Sequence, residues 1–206
     1  MSLLFSEIEN KITELKINKI ITSRKSILVG IINYVQTKID LKKDINLNFI
    51  CTHNSRRSHY CQIWAQVLAE YFKIKKFKSF SGGTISTDVS ENVINSLIKC
   101  GFRLNSKVKK KKTIYKLSFS NDASEILCFS KKFNDNFNPK NNFAAIMTCS
   151  SAEKNCPFIS GSDKIISIPY DDPKKFDDSR YVDQEYMKIN LIIASEMYYV
   201  FSSLKV

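Results

Sequence analysis

The chain of 206 residues has the length of one ordinary domain with room for a short appendage. Hydrophobic residues make up 43% of it, enough for a packed core, and no apolar run is long enough to cross a bilayer, so a transmembrane protein is excluded. The formal net charge is +12, from 32 Lys and Arg against 20 Asp and Glu. Because the lysines are scattered, apart from the run KVKKKK at 107–112, the charge favours a small anionic substrate over nucleic acid.

Apolar periodicity predicts alternating helices and strands in the first half of the chain. Residues 1–44 have helical spacing, with Ile8, Ile12 and Leu15 on one side of a helix, and are predicted to form one or two helices. The next predicted elements are a strand at 46–51, a helix from Ser58 to about Phe72, a strand at 77–83 that ends in glycines, and a helix from Val89 to Leu97. Gly101 is the predicted stop of this last helix.

The second half has a weak pattern at 105–142 and a clear one after it. Its predicted elements are a strand at 125–130, a loop at 134–142, a strand at 143–149, a strand at 164–170 and a helix from about Arg180 to Leu204. The run at 143–149 is continuously apolar, which is typical of a strand buried on both faces. This order predicts an α/β fold, a parallel sheet of about four strands with helices on both faces. We therefore divide the chain into an N-terminal helical extension at 1–44 and an α/β domain at 45–206.

Three of the predicted strands end in residues that can do chemistry. Cys51 ends the first of them, Cys149 ends a later one, and Tyr170 ends the strand that leads into Asp171 and Asp172. Ligands of open α/β sheets bind beyond the carboxyl ends of the strands. We therefore expect these three strand ends to meet at one site.

The loop that follows the first strand reads Cys51-Thr-His-Asn-Ser-Arg-Arg57-Ser58. A strand-to-helix turn places backbone N–H groups at a helix N-terminus, where they form an anion cradle that would also stabilise a Cys51 thiolate. Arg57 can add a planar fork of donors to a tetrahedral oxyanion, and Ser58 can donate to the sulfur. These residues predict a cysteine nucleophile in an oxyanion site. The alternative is a buried cysteine beside two solvated arginines.

The C-x₅-R-S pattern, with a strand before it, a helix after it and an Asp-Pro pair late in the chain, resembles the low-molecular-weight protein tyrosine phosphatase family, including the arsenate reductases built on that fold. The resemblance covers about 46–204. It implies the α/β fold of that family, Cys51 as nucleophile, Arg57 as oxyanion ligand and Asp172, directly before a proline, as general acid. Asp171 is the competing acid, and a simple Asp-Pro turn is the structural alternative.

The resemblance also implies which residues bind the substrate. The predicted substrate-binding residues are Thr52, His53, Asn54, Ser55, Arg56, Arg57 and Ser58. Asn54 matches the family's loop asparagine, which orders the turn by side-chain hydrogen bonds. Arg56 stands where related reductases often have a cysteine, and His53 stands where a glycine is common. His53 either contacts the substrate or lies at the rim of the site.

Cys149 and Cys156, separated by SSAEKN, distinguish the reductases from the phosphatases. Thioredoxin-coupled arsenate reductases resemble the phosphatases but have two further cysteines at this spacing. The resemblance implies that Cys51 attacks arsenate, that Cys149 attacks Cys51 as arsenite leaves, and that Cys156 moves the disulfide to 149–156 for reduction by thioredoxin. The predicted function is therefore reduction of arsenate to arsenite, and the alternative is hydrolysis of phosphotyrosine through a phosphocysteine at Cys51.

Other interpretations of the same residues stay open. Cys149 and Cys156 could be inert thiols, a redox brake on a phosphatase, or zinc ligands with His53 or His59, although their spacing is wider than is usual in zinc sites. A third class is a basic binding module that uses 107–112 and the N-terminal helices. For that lysine run we favour a solvated loop.

The cysteine count also bears on the compartment. The N-terminal residues do not form a secretion signal, so the six cysteines favour a reducing cytoplasm over a disulfide framework. Cys61, Cys100 and Cys128 have apolar neighbours and are predicted to be small buried hydrophobes. Gln62 stands where some reductases of this type have an acidic ion ligand, so we predict no metal, and we predict no cofactor. The predicted partners are an oxyanion and thioredoxin, not nucleic acid or a membrane.

Overall fold

The computed structural model describes residues 4–15, 17–109, 111–155 and 158–206, apart from the side chains of 153–155. The helices are α1 (Ser6–Thr13), α2 (Thr22–Asp40), α3 (Arg57–Tyr71), α4 (Glu91–Ile98), α5 (Ser150–Asn155) and α6 (Val182–Ser202). The strands are β1 (Ile45–Cys51), β2 (Phe77–Gly83), β3 (Arg103–Lys109), β4 (Thr113–Ser118), β5 (Ile126–Cys128), β6 (Phe143–Met147) and β7 (Ser162–Ser167). Short 3₁₀ turns lie at Ile17–Lys19 and Pro173–Phe176.

Four strands form a parallel sheet in the order β2-β1-β6-β7. The central strand β1 pairs on both sides, with Cys51 opposite Gly83 of β2 and Ile50 opposite Met147 of β6. β6 is buried at every position, which explains its continuous apolar sequence. The predicted α/β fold with about four parallel strands is confirmed, and the carboxyl ends of β1, β2 and β6 lie at one edge of the sheet.

Two apolar clusters pack against the sheet. The larger cluster joins buried residues of α1, α2, α3, α4 and α6 to sheet residues such as Phe49 and Ile146. The smaller cluster consists of Ile50, Cys51, Phe143, Ala145, Met147, Cys149, Ala152 and Ile159. Successive residues of a strand point to opposite faces, and for this reason Ile146 belongs to the larger cluster while Met147 belongs to the smaller one. Helices therefore cover both faces, with α5 on the side of the smaller cluster.

The N-terminal helices are part of the larger cluster. α1 contributes Ile8 and Ile12, and α2 contributes Leu28, Ile31 and Val35, all of them buried. The helices predicted at 1–44 are thus present, and they share a core with the α/β part of the chain. The domain boundary at 44/45 remains a prediction. Within the described ranges, no helix has both the length and the hydropathy that a bilayer span requires.

The segment at 105–142 holds a second, antiparallel sheet in the order β3-β4-β5. The strand predicted at 125–130 is present as the shorter β5. The loop favoured for 107–112 is wrong for 107–109, because Lys107 and Lys109 lie in β3 and pair with β4. These residues are nevertheless exposed to solvent, as predicted, and 111 and 112 lie outside both strands. β3 is exposed along nearly its whole length and forms the edge of this sheet. Lysines suit such an edge, since their charge blocks pairing with another chain.

Two strands of the parallel sheet end earlier than predicted. β6 ends at Met147 and β7 at Ser167, so Cys149 and Tyr170 follow their strands rather than ending them. The chain leaves the regular ladder here but stays at the sheet edge, because Thr148 N–H donates to the Ile50 carbonyl at 2.7 Å and Tyr170 N–H donates to the Thr148 carbonyl at 3.1 Å. The expected meeting of these segments at one edge therefore still occurs.

Candidate active site

The loop between β1 and α3, residues 51–58, turns tightly against a glycine. Asn54 has a φ of 46°, in the left-handed region that asparagine adopts more readily than most residues. Gly83, at the end of β2, lies so close that a Cβ on it would be 2.8 Å from the Asn54 nitrogen and 2.8 Å from the Thr52 oxygen. Only glycine allows this approach. The glycine that ends β2 therefore helps to shape the loop.

The Cys51 sulfur lies inside the turn, within reach of two donors. Asn54 N–H donates to it at 3.2 Å, and the Ser58 hydroxyl lies 3.2 Å from it. The Asn54 side chain sets the direction of the second bond. Its Oδ1 accepts Lys131 N–H at 2.9 Å, so its Nδ2 group donates to Ser58 Oγ at 2.9 Å, which leaves the Ser58 proton for the sulfur. Both donors would stabilise a thiolate.

The carbonyls of the loop point away from the site. Those of Thr52, His53 and Ser55 accept hydrogen bonds from neighbouring segments. Ile85 N–H donates to the Thr52 carbonyl at 2.9 Å and Ser130 Oγ donates to the His53 carbonyl at 3.0 Å. Ser90 N–H donates to the Ser55 carbonyl at 3.1 Å. A trans peptide has its N–H and C=O on opposite sides, so outward carbonyls turn the amides of the loop inward. This is the arrangement of an anion-binding concavity.

His59 supports the turn from the first turn of α3. Its Nε2 lies 3.0 Å from the Asn54 carbonyl oxygen, and its Nδ1 lies 3.4 Å from Ser81 Oγ. A carbonyl only accepts, so Nε2 carries the proton and Nδ1 accepts from Ser81. Burial, with a smaller effect of Lys131, lowers the pKa of His59 to about 3. The imidazole is therefore neutral at physiological pH.

Lys131 is buried behind the loop. Its backbone N–H holds Asn54, and its side-chain nitrogen lies 4.3 Å from the centre of the Phe129 ring and 5.3 Å from that of Phe137. Burial lowers the pKa of Lys131 to about 8. The aromatic faces replace part of the lost hydration of its ammonium.

Arg57, the first residue of α3, connects the loop to the segment that follows β7. Its Nη1 donates to the Tyr170 carbonyl at 3.0 Å, and its Nη2 donates to Asp172 Oδ2 at 2.5 Å. Its Nε–H is buried and has no hydrogen-bond partner in the part of the chain that the structure describes. A buried donor without a partner is costly, so this group is suited to receive a ligand oxygen.

Of the two neighbouring aspartates, Asp172 contacts the loop and Asp171 is exposed. Asp172 Oδ1 also accepts Lys174 N–H at 3.1 Å and caps the 3₁₀ turn at Pro173–Phe176. The Asp-Pro turn and the contact with Arg57 therefore coexist in one side chain. The role of Asp172 as general acid stays a prediction.

Arg56 is engaged away from its own loop. Its Nε donates to the Tyr186 hydroxyl at 2.6 Å, and its Nη2 donates to Asp177 Oδ2 at 2.7 Å. The Tyr186 hydroxyl also donates to Asp177 at 2.5 Å. These bonds fix the loop to α6 and to the segment after Asp172. A substrate contact by Arg56, as predicted, would have to compete with them.

Cys149 lies beside the start of the loop. Its sulfur is 3.4 Å from Thr52 Oγ1 and accepts Ala152 N–H of α5 at 3.4 Å. It belongs to the smaller cluster together with Cys51. Both cysteines are free thiols. Cys156 and its predicted relay role lie outside the described residues.

In the part of the chain that the structure describes, no three His, Cys, Asp or Glu side chains are grouped so that they could hold a metal ion. His59, one of the two histidines that could complete a zinc site, uses both ring nitrogens within the protein. The zinc alternative also requires Cys156, which lies outside the described residues, so it remains an alternative.

The sequence analysis missed three contributors to this site. Lys131 holds the loop through its backbone N–H, and Gly83 lets the loop approach because it has no Cβ, and no side-chain pattern reveals either role. His59 did leave a signal, because it directly follows Ser58, at the start of the helix predicted after the loop.

Comparison with known proteins gives structural matches only. A scan against protein-family profiles found no match, and no curated protein matches the chain. A low-molecular-weight protein tyrosine phosphatase from T. tengcongensis matches with a TM-score of 0.55 and 15% identity over 78% of this chain and 100% of its own. A YwlE mutant from Bacillus subtilis matches with a TM-score of 0.53 and 10% identity over 77% of this chain and 97% of its own. A low-molecular-weight phosphotyrosine phosphatase from Vibrio cholerae O395 (VcLMWPTP-2) matches with a TM-score of 0.52 and 11% identity over 77% of this chain and 94% of its own.

At these identities the likeness concerns the fold alone. The chain has the fold of the low-molecular-weight protein tyrosine phosphatases, as the sequence resemblance implied.

Proposed function

We propose that this chain is an enzyme in which a Cys51 thiolate attacks a tetrahedral oxyanion. The observation that carries the proposal is the position of the Cys51 sulfur inside the turn, where it accepts Asn54 N–H and lies within hydrogen-bond distance of Ser58. Arg57, from the same loop, is paired with Asp172. Such donors stabilise both a thiolate and the oxyanion that it attacks.

The first step would be common to an arsenate and a phosphate ester. The Cys51 sulfur forms a bond to the central atom, and the bond to the leaving oxygen breaks with its electron pair. The loop amides and Arg57, including its unpartnered Nε–H, hold the remaining oxygens. Asp172 in its acid form gives a proton to the leaving oxygen. The incoming oxyanion would replace Asp172 on the guanidinium and free the carboxyl group for this role.

For the complete reaction we propose reduction of arsenate to arsenite. Cys149 supports this choice, because its sulfur lies 3.4 Å from the side chain of Thr52, the residue next to the nucleophile. The Cys149 thiolate attacks the Cys51 sulfur, the sulfur–arsenic bond breaks, and its electron pair reduces As(V) to As(III). Two thiols become one disulfide, which balances the two electrons. Cys156 then attacks Cys149, and a thioredoxin dithiol reduces the resulting disulfide in a reducing compartment such as the cytoplasm.

The second candidate is hydrolysis of phosphotyrosine. It needs Cys51, Arg57 and Asp172 but no second thiol, and water would release phosphate from the phosphocysteine. The fold supports it, because two of the three structural matches given above are protein tyrosine phosphatases. The two candidates share one site and differ in the need for Cys149.

One experiment separates them. The purified chain is supplied with arsenate, thioredoxin, thioredoxin reductase and NADPH, and arsenite is measured; hydrolysis of an aryl phosphate is measured in parallel. We expect Cys149→Ser to abolish arsenite formation and to leave aryl phosphate hydrolysis within a few-fold. Cys128→Ser is the matched control, because Cys128 is equally buried but belongs to the larger cluster.

Two results would contradict the proposal at different levels. Hydrolysis that is indifferent to Cys149→Ser, with no arsenite formed by the wild type, would leave the phosphatase as the function. Absence of both activities in the folded wild type would remove the enzymatic proposal itself.

A further inference from the structure

Arg24, near the start of α2, makes an ion pair with α6. Its Nε donates to Glu196 Oε1 at 2.7 Å and its Nη2 donates to Glu196 Oε2 at 2.6 Å. The carboxylate is almost fully buried, with 5% of the side chain exposed. Two parallel bonds between a guanidinium and a carboxylate fix the geometry as well as the charge. The bidentate ion pair therefore fixes α2 to α6.

The same guanidinium reaches the segment that precedes Asp172. Its Nη1 donates to the Pro169 carbonyl at 3.0 Å, and its central carbon lies 4.9 Å from the centre of the Tyr170 ring. The Tyr170 hydroxyl donates to Glu196 Oε2 at 2.7 Å. Residues 169 and 170 are thus held through a carbonyl, a ring face and a hydroxyl.

Tyr170 links the contacts of Arg24 and Glu196 to the active site. Its side chain belongs to the network of Arg24 and Glu196, while its carbonyl accepts Arg57 Nη1 at 3.0 Å. Asp172, the other partner of Arg57, follows only two residues later. Two direct contacts, Arg24 with the Tyr170 ring and the Tyr170 carbonyl with Arg57, therefore lead from α2 to the predicted oxyanion ligand.

We propose that Arg24 is a positioning residue, through which the N-terminal extension holds the Pro169–Tyr170 segment and thereby orients Arg57 and Asp172 toward the substrate. This inference rests on the proposed function, because it concerns the same site. Arg24 lies before about residue 46, where the sequence resemblance begins. The inference therefore gives the N-terminal extension a role in the active site.

The far end of α2 offers a matched comparison. There Lys38 Nζ lies 2.8 Å from Asp163 Oδ2, at the start of β7, and the Tyr34 hydroxyl donates to the same carboxylate at 2.8 Å. This ion pair also fixes α2 to the sheet. It lies at the beginning of β7, whereas Arg24 contacts the residues that follow the end of β7. Loss of Lys38 therefore tests attachment of the helix without disturbing the active-site segment.

The experiment compares Arg24→Lys with Lys38→Met in the full chain. Lysine keeps a positive charge beside Glu196 but cannot reach two carboxylate oxygens and the Pro169 carbonyl together. We expect Arg24→Lys to lower kcat about 10-fold to 10²-fold, the scale of an error in positioning. Lys38→Met should leave kcat within about twofold, although it also removes an ion pair that fixes α2 to the sheet. Arg24→Gln, which lacks the charge, should be no better than Arg24→Lys in kcat.

Binding of orthophosphate gives a readout that needs no turnover. Titration of the wild type and of Arg24→Lys should show several-fold weaker binding in the variant, because Arg57 is less well oriented. Equal kcat and equal phosphate affinity in Arg24→Lys and the wild type would overturn the inference and leave the proposed function intact. So would a loss of kcat that is the same for both variants at the same loss of stability. A wild type that neither turns over substrate nor binds phosphate would instead overturn the proposed function, and this inference with it.

Discussion

The two apolar clusters of this protein contain cysteines in contrasting surroundings. The larger cluster contains Cys61, Cys100 and Cys128, and the smaller one contains Cys51 and Cys149. Burial raises the pKa of Cys100 to about 11 and that of Cys128 to about 12, and it raises the pKa of Cys61 well above its ordinary value. These three remain protonated at neutral pH and act as packing residues, in agreement with the sequence analysis.

The thiols of the smaller cluster have backbone donors aimed at them. Cys51 accepts Asn54 N–H and Cys149 accepts Ala152 N–H. Both positions are as buried as those of the larger cluster. Burial alone therefore does not separate the cysteines that we predict to react from those that pack the larger cluster, whereas backbone N–H groups donate to the former. Cys100 of the larger cluster accepts a side-chain amide instead, from Asn190 Nδ2 at 3.5 Å.

The largest expected effect comes from the nucleophile. Cys51→Ser should lower turnover of arsenate or aryl phosphate by at least about 10³-fold, because a hydroxyl is a far poorer nucleophile at neutral pH. Its unfolding free energy should change little. Cys128→Ser should do the reverse, with activity retained and a stability loss of about 1–3 kcal/mol from an added buried hydroxyl. Kinetics and urea unfolding of both variants test this, and full activity of Cys51→Ser would remove the mechanism.

The two neighbouring arginines of the loop, Arg56 and Arg57, allow a similar comparison between a predicted substrate ligand and a residue engaged elsewhere. Arg57→Lys should lower kcat by about 10²-fold to 10³-fold, because an ammonium cannot replace the fork that binds the Tyr170 carbonyl, Asp172 and an oxyanion. Arg56→Lys should cost less, since Arg56 is engaged by Asp177 and Tyr186. Steady-state kinetics of both variants give the measurement. A near-normal rate for Arg57→Lys would mean that this guanidinium does not bind the substrate.

The smallest effect concerns stability and pH. The pKa of His59 falls from an ordinary 6.5 to about 3 in the folded chain, so the unfolded state binds more protons between these values. The contribution of His59 to stability is complete above pH 6.5 and is lost as the pH falls toward 3, by up to about 1.4 kcal/mol per pH unit. His59→Gln should flatten the decline of the unfolding free energy between pH 7 and 5.

His53→Gln is the control for this measurement, because His53 is the only other histidine of the chain and lies on the loop without full burial. Urea unfolding at pH 7, 6 and 5 should give a decline for His53→Gln that matches the wild type. The prediction fails if His59→Gln declines as steeply as the wild type does.

Local sequence was sufficient for the elements and for the loop. The alternation of strand and helix and the order Cys51 to Ser58 follow from spacing along a few residues, and the structure places them nearly as predicted. The weak segment at 105–142 was harder, because β3 is almost entirely exposed and has no apolar face to give a pattern. The ends of β6 and β7 were placed too late because burial continues past the strands: Thr148 and Ile168 are buried although they lie beyond the last strand residues.

The sequence by itself determined the fold class and the position of the thiol in a strand-to-helix turn, since both depend on neighbours within one or two turns of chain. Only the tertiary structure decided what surrounds that turn. The backbone amide of Lys131 orients Asn54, the Tyr170 carbonyl orients Arg57, and Arg24 holds Tyr170 from the other end of the chain. These contacts join residues far apart in sequence, and two of them use backbone atoms that every residue has. Their formation depends on how the helices pack on the sheet, which no spacing of side chains records.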